Sequence, residues 1–98
     1  MAYRIEFTPT AQRQISSLEA HARKTVIETI ADQLRHQPGV ETRNRKLLRP
    51  NDLARWELRI GSYRVFYNIE EEVIVVLVVA LGEKAGNKLV IDGDEYKI

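Results

Sequence analysis

Residues 54–69 read ARWELRIGSYRVFYNI, and the reading of this stretch decides the fold. Two alternating runs flank Gly61-Ser62, and a glycine at the first loop position is what a two-residue type II′ turn needs, because that position requires φ > 0. The turn sets the pairing, with Ile60 opposite Tyr63 and Arg59 opposite Arg64. Since side chains alternate along a strand, Trp56, Leu58 and Ile60 share a face with Tyr63, Val65 and Tyr67. Arg55, Glu57 and Arg59 share the other face with Arg64, Phe66 and Asn68. The expectation is one core face and one cationic face. Like charges directly across a ladder are destabilising, so Arg59 opposite Arg64 is a local cost. Two explanations are open: an anionic ligand relieves it, or Glu57 on the same face neutralises it as part of an ordinary surface cluster.

The flanking composition bounds what such a hairpin serves. Ninety-eight residues fit one domain, residues 1–98, with a single core. There is no cysteine, which removes disulfides, thiolate metal sites and a cysteine nucleophile and suits an intracellular setting. The start, MAYRIEF, has charges where a leader needs an apolar stretch, and the longest apolar run, residues 73–81, is far short of the ~20 residues that span a bilayer. A soluble, cytoplasmic protein that does not engage a membrane is expected. The net charge of +1 conceals an uneven distribution. Residues 41–66 hold seven bases (Arg43, Arg45, Lys46, Arg49, Arg55, Arg59, Arg64) against three acids, whereas residues 70–98 hold seven acids against three lysines. A polyanion would therefore be drawn to one region and not to the whole surface.

Outward from the hairpin, Tyr3, Ile5 and Phe7 alternate with Arg4 and Glu6 and predict a first strand. Thr8-Pro9 ends it and starts a helix, with Thr8 as N-cap, Pro9 at the first helical position, and Ala11, Ile15 and Leu18 at helical spacing. A second amphipathic pattern after His21 runs through Ala22, Val26, Ile27, Ile30, Ala31 and Leu34 until Pro38-Gly39. Residues 40–53 read as a charged loop. After the hairpin, Glu70-Glu71-Glu72 predicts a turn, and residues 73–81 a central strand buried on both sides that ends at Gly82. A polar loop follows over residues 83–88. Leu89 to Ile91 is a short apolar patch, Asp92-Gly93 a turn, and residues 95–98 a tail without a clear pattern. The order β-α-α-β-β-β predicts an α+β domain, a mostly antiparallel twisted sheet with a helical hairpin on one face and the arginines on the other.

Most catalytic patterns are missing from this chain. His21 and His36 lack ligand spacing with each other or with a carboxylate pair, and there is no glycine-rich phosphate loop, serine elbow or acidic arrangement that demands a metal. A site here would use Arg, Lys, Glu and Tyr without metal or cofactor.

The run WELRIGSYRVFY at residues 56–67, the preceding KLLR at 46–49 and LGEKAGNKL at 81–89 resemble the RelE/ParE family of bacterial toxin–antitoxin toxins, closer to its RelE-like branch. The hairpin pattern R-x-G-x-Y-R-x-x-Y is the most specific part, and the two-helix start extends the resemblance over essentially the whole chain. The resemblance implies a small toxin neutralised by a cognate antitoxin in a hetero-oligomeric complex. RelE-like members enter the ribosome and cleave mRNA; ParE-like members inhibit DNA gyrase by binding it, and a non-toxic, antitoxin-binding member is a third possibility.

For the RelE-like activity, the substrate's own 2′-hydroxyl attacks the adjacent phosphate, which calls for a base, an acid and cations that stabilise the charged phosphorane. The resemblance assigns that chemistry to Arg64 and Lys84, to which the hairpin register adds Arg59, with Glu57 as the nearest candidate base. Arg43, Arg45, Lys46, Arg49, Arg55 and Lys88 are the expected RNA contacts. Two positions depart from the RelE-like pattern. Glu57 stands where that branch has a lysine, and Val90 where it has a tyrosine; Tyr96 is a tyrosine that would have to reach back from the tail, where packing is the commoner role.

Overall fold

The computed structural model describes residues 2–98. Strand β1 (Arg4–Phe7) leads into α1 (Pro9–Ser16) and α2 (Ala20–Leu34), followed by β2 (Arg45–Leu47), β3 (Trp56–Ile60), β4 (Tyr63–Glu70), β5 (Val75–Ala85), β6 (Lys88–Ile91) and β7 (Asp94–Tyr96). Strands β2 to β7 lie in sequence order as an antiparallel sheet, and β1 pairs in parallel with the first half of β5. The α+β class and the placing of both helices on one face are as expected. No helix among the described residues is long and apolar enough to cross a membrane.

The helices start where local chemistry tells them to. Thr8 accepts the Ala11 N–H at 3.1 Å, with Pro9 in the first turn where its missing N–H costs nothing. The second helix begins earlier than its apolar pattern does, at Ala20, because the Glu19 carboxylate caps it by accepting from Ala22 N at 2.6 Å and His21 N at 3.1 Å. These bonds, the one from Ala22 first, hold the Glu19 carboxyl below its ordinary range. Val26, Ile30 and Leu34 of α2 and Ala11 and Ile15 of α1 pack on Leu58, Val65, Tyr67, Val76, Val78 and Leu81 of the sheet. Trp56 stacks on Tyr67 with ring centroids 6.0 Å apart. The buried Tyr67 hydroxyl donates to the Pro38 carbonyl at 2.8 Å, which ties the end of the helical layer to the sheet.

The hairpin register is as the turn residue requires, with Ile60 opposite Tyr63, Arg59 opposite Arg64 and Trp56 opposite Tyr67. Gly61 has φ +58°. Several boundaries differ from the sequence reading. The charged loop of residues 40–53 contains β2, a three-residue strand too short to show alternation. Its outer edge is closed by the chain just before it, where Thr42 N donates to Arg45 O at 3.0 Å and Arg45 N to the Thr42 hydroxyl at 3.1 Å. Gly82 does not end β5. A Cβ there would lie 2.9 Å from Ile91 Cγ1 and 3.1 Å from the Val90 carbonyl oxygen, so this glycine permits close packing of β6. The turn instead falls at Gly86-Asn87, with Gly86 at φ +65°. Residues 94–96, in the tail, form β7 through a two-residue turn in which Asp92 and Gly93 both have positive φ.

The central strand β5 serves two partners along one edge, β1 at Val75–Val78 and β6 at Glu83–Ala85, and the gap between them is filled by α1 and its cap. Thr8 N donates to Val78 O and the Thr8 hydroxyl to Val79 O, each at 3.0 Å, while Gln14 Oε1 accepts from Leu81 N at 2.8 Å. Each of these backbone groups would otherwise be unpaired in the interior.

The face away from the helices is less purely cationic than the hairpin alone suggests. It carries a second, smaller core of Ala54, Phe66, Ala80 and Leu89, covered by Leu48, Leu53, Ile91, Tyr96 and Ile98. The apolar patch at 89–91 and the tail supply most of this cover, and neither had shown a pattern that assigned it to a face.

Candidate functional site

A β-bulge places the site. Phe66 of β4 is opposite Ala80 and the next residue, Tyr67, is opposite Val78, so Val79 has no partner across the ladder. Without the bulge, Val76, Val78, Ala80, Gly82 and Lys84 would all point to the helices. With it, Val76 and Val78 stay in the helix-side core while Ala80, Gly82 and Lys84 turn to the other face. Bulges re-aim side chains in this way beside functional sites.

Three cross-strand rows then lie on that face. Lys46, Glu57, Phe66 and Ala80 form the first; Arg59, Arg64 and Gly82 the second; Lys84, Leu89 and Tyr96 the third. Six of their members, Lys46, Glu57, Arg59, Lys84, Leu89 and Tyr96, line an open cleft of about 590 Å³. Its charged lining is Lys46, Arg49, Arg59, Lys84, Lys88 and Lys97 against Glu57 and Glu95, and Tyr96 adds a phenol. Like charges held together on one rigid sheet raise the local potential and attract anions.

Within the cleft, Glu57 is buried and Arg59 is partly exposed, with side-chain accessibilities of 8% and 41%. Arg59 Nε donates to Glu57 Oε2 at 3.0 Å. Arg64 is held differently. Its Nη1 donates to the carbonyls of Gly61 at 2.8 Å and Tyr63 at 2.9 Å, folding the guanidinium back over the turn and away from the cleft lining. Its Nε is buried with no hydrogen-bond partner among the described residues. Burial, more than the neighbouring Arg59, lowers the Arg64 pKa from its usual value, with Glu57 opposing. Arginine nonetheless stays charged in proteins.

Of the ten residues singled out in the sequence, Glu57, Arg59, Lys84, Lys46, Arg49 and Lys88 converge on the cleft. Arg64 shares its sheet row with Arg59 but is tethered to the turn. Arg43 lies exposed in the loop before β2, and Arg55, also exposed, faces a neighbouring groove with Arg49, Pro50 and Asn51. Arg45 is buried: its guanidinium donates to Val40 O at 3.0 Å, Gln33 O at 2.9 Å and Gln33 Oε1 at 3.1 Å. It fastens β2 to the end of α2, and its donors face protein acceptors. Lys97 is a cleft residue that the sequence did not assign to it, and Tyr96, for which packing is the commoner expectation, also lines the cleft, since the β6–β7 turn brings the tail back alongside Leu89. Val90 faces the opposite side, in a groove with Arg13, Tyr63 and Asp92. The third row therefore carries its tyrosine at Tyr96. As for cations, no three His, Asp or Glu side chains among the described residues are arranged to hold a metal ion, and both carboxylates of the cleft are set among bases.

Comparison with known proteins places this geometry in a family. The family model described as ParE toxin of type II toxin–antitoxin systems matches residues 5–87, which span β1 to the β5–β6 turn. Toxin RelG of Mycobacterium tuberculosis is 29% identical over 85 residues, covering 87% of this chain and 94% of its own. The crystal structure of the RelBE2 toxin–antitoxin complex from the same organism contains a chain that superposes with a TM-score of 0.72 at 28% identity, covering 86% of this chain and all of that one. The matched residues thus include the hairpin, the bulged strand and the strand end that carries Lys84, and the chain belongs to the ParE toxin family of type II toxin–antitoxin systems.

Proposed function

We propose that the cleft binds the phosphodiester backbone of mRNA and that the protein is a ribosome-dependent endoribonuclease, a translation-inhibiting toxin of the cytoplasm silenced by its antitoxin. The convergence of Lys46, Arg59, Lys84 and Tyr96 from four different strands onto one face carries this reading. The chemistry follows from the residue types. Attack of a ribose 2′-hydroxyl on the neighbouring phosphate builds negative charge on the non-bridging oxygens, and fixed cations aimed at that charge are worth most in the transition state. Arg59 and Lys84 supply them, while Lys46, Arg49 and Lys88 hold the flanking phosphates and set the register of the chain. Tyr96, in the same row as Lys84, is the proton-carrying group that the cleft offers to the attacking or leaving oxygen. Arg64 joins when a phosphate replaces the two turn carbonyls as its acceptor.

An acidic or amphipathic antitoxin segment laid along the cleft would neutralise these cations and exclude RNA. That the RelBE2 neighbour is a toxin–antitoxin complex supports a partner of this kind. Cleavage mapping on mRNA in a translating extract, with and without the purified protein, tests the nuclease reading: new 5′ ends within translated codons are expected, and their absence would refute it. A second reading, inhibition of DNA gyrase by binding, is favoured by one observation, the match to the ParE model. Loss of supercoiling by purified gyrase, without RNA cleavage in the extract, would establish that reading in its place.

A further inference from the structure

The cleft contains an anion of its own. Glu57 sits in its floor with its side chain 8% exposed, and Arg59 Nε is its one hydrogen-bond donor among the described side chains. Lys46 stands directly across the ladder. A carboxylate so poorly reached by water is screened less than one on the open surface, so its charge is felt by whatever comes next to Arg59. An ordinary surface ion pair would not have this effect, because both partners would be solvated and the pair would be worth little.

We propose that Glu57 is a resident anion that weakens every single-phosphate contact at Arg59, so that only a ligand spanning several of the surrounding cations at once is held. This rests on the reading of the cleft as a phosphodiester site. A lone phosphate docking on the exposed side of Arg59 gains one guanidinium and meets the Glu57 charge behind it. A chain of phosphates meets the same repulsion once, and gains Lys46, Lys84 and Lys88 as well, with release of its condensed counterions. Glu57 is then a specificity-determining residue that keeps free phosphate and other small anions off the site, and its position as the buried member of the pair is what suits it to that task. Arg59 and Arg64 lie directly opposite one another with each held by an internal acceptor, Arg59 by the Glu57 carboxylate and Arg64 by the carbonyls of Gly61 and Tyr63.

The test uses the arginine Nε–Hε resonances of the whole chain, wild type and Glu57→Gln, titrated separately with inorganic phosphate and with a 2′-O-methyl tetranucleotide that cannot be cut. The glutamine variant is expected to bind inorganic phosphate about tenfold more tightly, equivalent to about 1.4 kcal/mol. In the wild type, the tetranucleotide is expected to move the Arg59 resonance saturably as its bond to Glu57 gives way. Equal or weaker phosphate binding by the variant would overturn the proposal. Should the variant fail to fold, the two wild-type titrations decide: inorganic phosphate that shifts the Arg59 resonance saturably at concentrations as low as the tetranucleotide overturns it, and a saturable shift by the tetranucleotide that phosphate does not reproduce at those concentrations sustains it. The nuclease reading fails separately. A phosphate gain in Glu57→Gln with no RNA cleavage by the wild type keeps this inference and removes that reading, and cleavage without the gain does the reverse.

Discussion

Gly82→Ala is the substitution whose cost follows most directly from the geometry. The added methyl would stand 2.9 Å from Ile91 Cγ1, 3.1 Å from Leu89 Cδ1 and 3.1 Å from the Val90 carbonyl oxygen. The Leu89 tip can yield, but Ile91 Cγ1 is the methylene next to Cβ of a β-branched side chain and the carbonyl belongs to the β6 backbone, so β6 must move outward by a few tenths of an ångström or the methyl must strain its own strand. Overpacking of this kind costs about 1–3 kcal/mol. Alanine returns part of that by reducing the freedom of the unfolded chain, about 0.4–1 kcal/mol. The centres of the two ranges leave a net loss of about 1.3 kcal/mol, which for a domain of this size lowers Tm by roughly 5–10 °C. Urea and thermal unfolding measure the loss, and amide shifts locate it, with the largest changes on β6 and β7. Because those strands carry Leu89 and Tyr96, cleavage should also fall, while the Arg59–Glu57 resonance on the far side of the cleft stays in place. An unchanged or raised Tm would refute the close-packing role of Gly82 and with it the tight seating of β6 over β5.

Three further outcomes are expected. Lys84→Met should lower the rate of RNA cleavage about 10²–10³-fold at unchanged Tm, measured by single-turnover cleavage alongside thermal unfolding. Arg45→Met should behave oppositely, removing donors from Val40 O, Gln33 O and Gln33 Oε1 at a cost of about 2–4 kcal/mol in urea unfolding, with RNA affinity falling only as the folded fraction does. Glu19, whose carboxyl is lowered by its cap bonds, contributes stability that is present above the unfolded carboxylate value and lost as pH falls through the folded one. Wild-type Tm should therefore drop more steeply below about pH 4.5 than that of Glu19→Gln, compared by thermal unfolding across the acid range.

What the sequence by itself determined about this protein is what local chemistry controls. A glycine at position 61 flanked by alternating runs admits one tight turn, and that turn forces Arg59 opposite Arg64 without reference to the rest of the chain. The Thr8-Pro9 start and the apolar spacing of α1 and α2 are legible for the same reason, as are the Asp92-Gly93 turn and the burial of the central strand from Val75 on, although Val73 and Ile74, expected within that strand, belong to the largely exposed turn before it. The face assignments beyond the hairpin are not. The run from Val75 to Leu81 is apolar on both sides, so alternation carries no information about which way Lys84 points, and the bulge at Val79 that decides it arises because Val78 and Leu81 must both pack under the helices. Arg45 and Arg43 look alike in a charged loop, yet only the first has carbonyls from the end of α2 within reach. Tyr96 lacked a pattern because β7 is three residues long, and its place in the row of Lys84, one strand beyond Leu89, exists only through pairing with β6. Charge and turn residues told which side chains this protein has for an anion; the pairing of distant strands decided which of them meet.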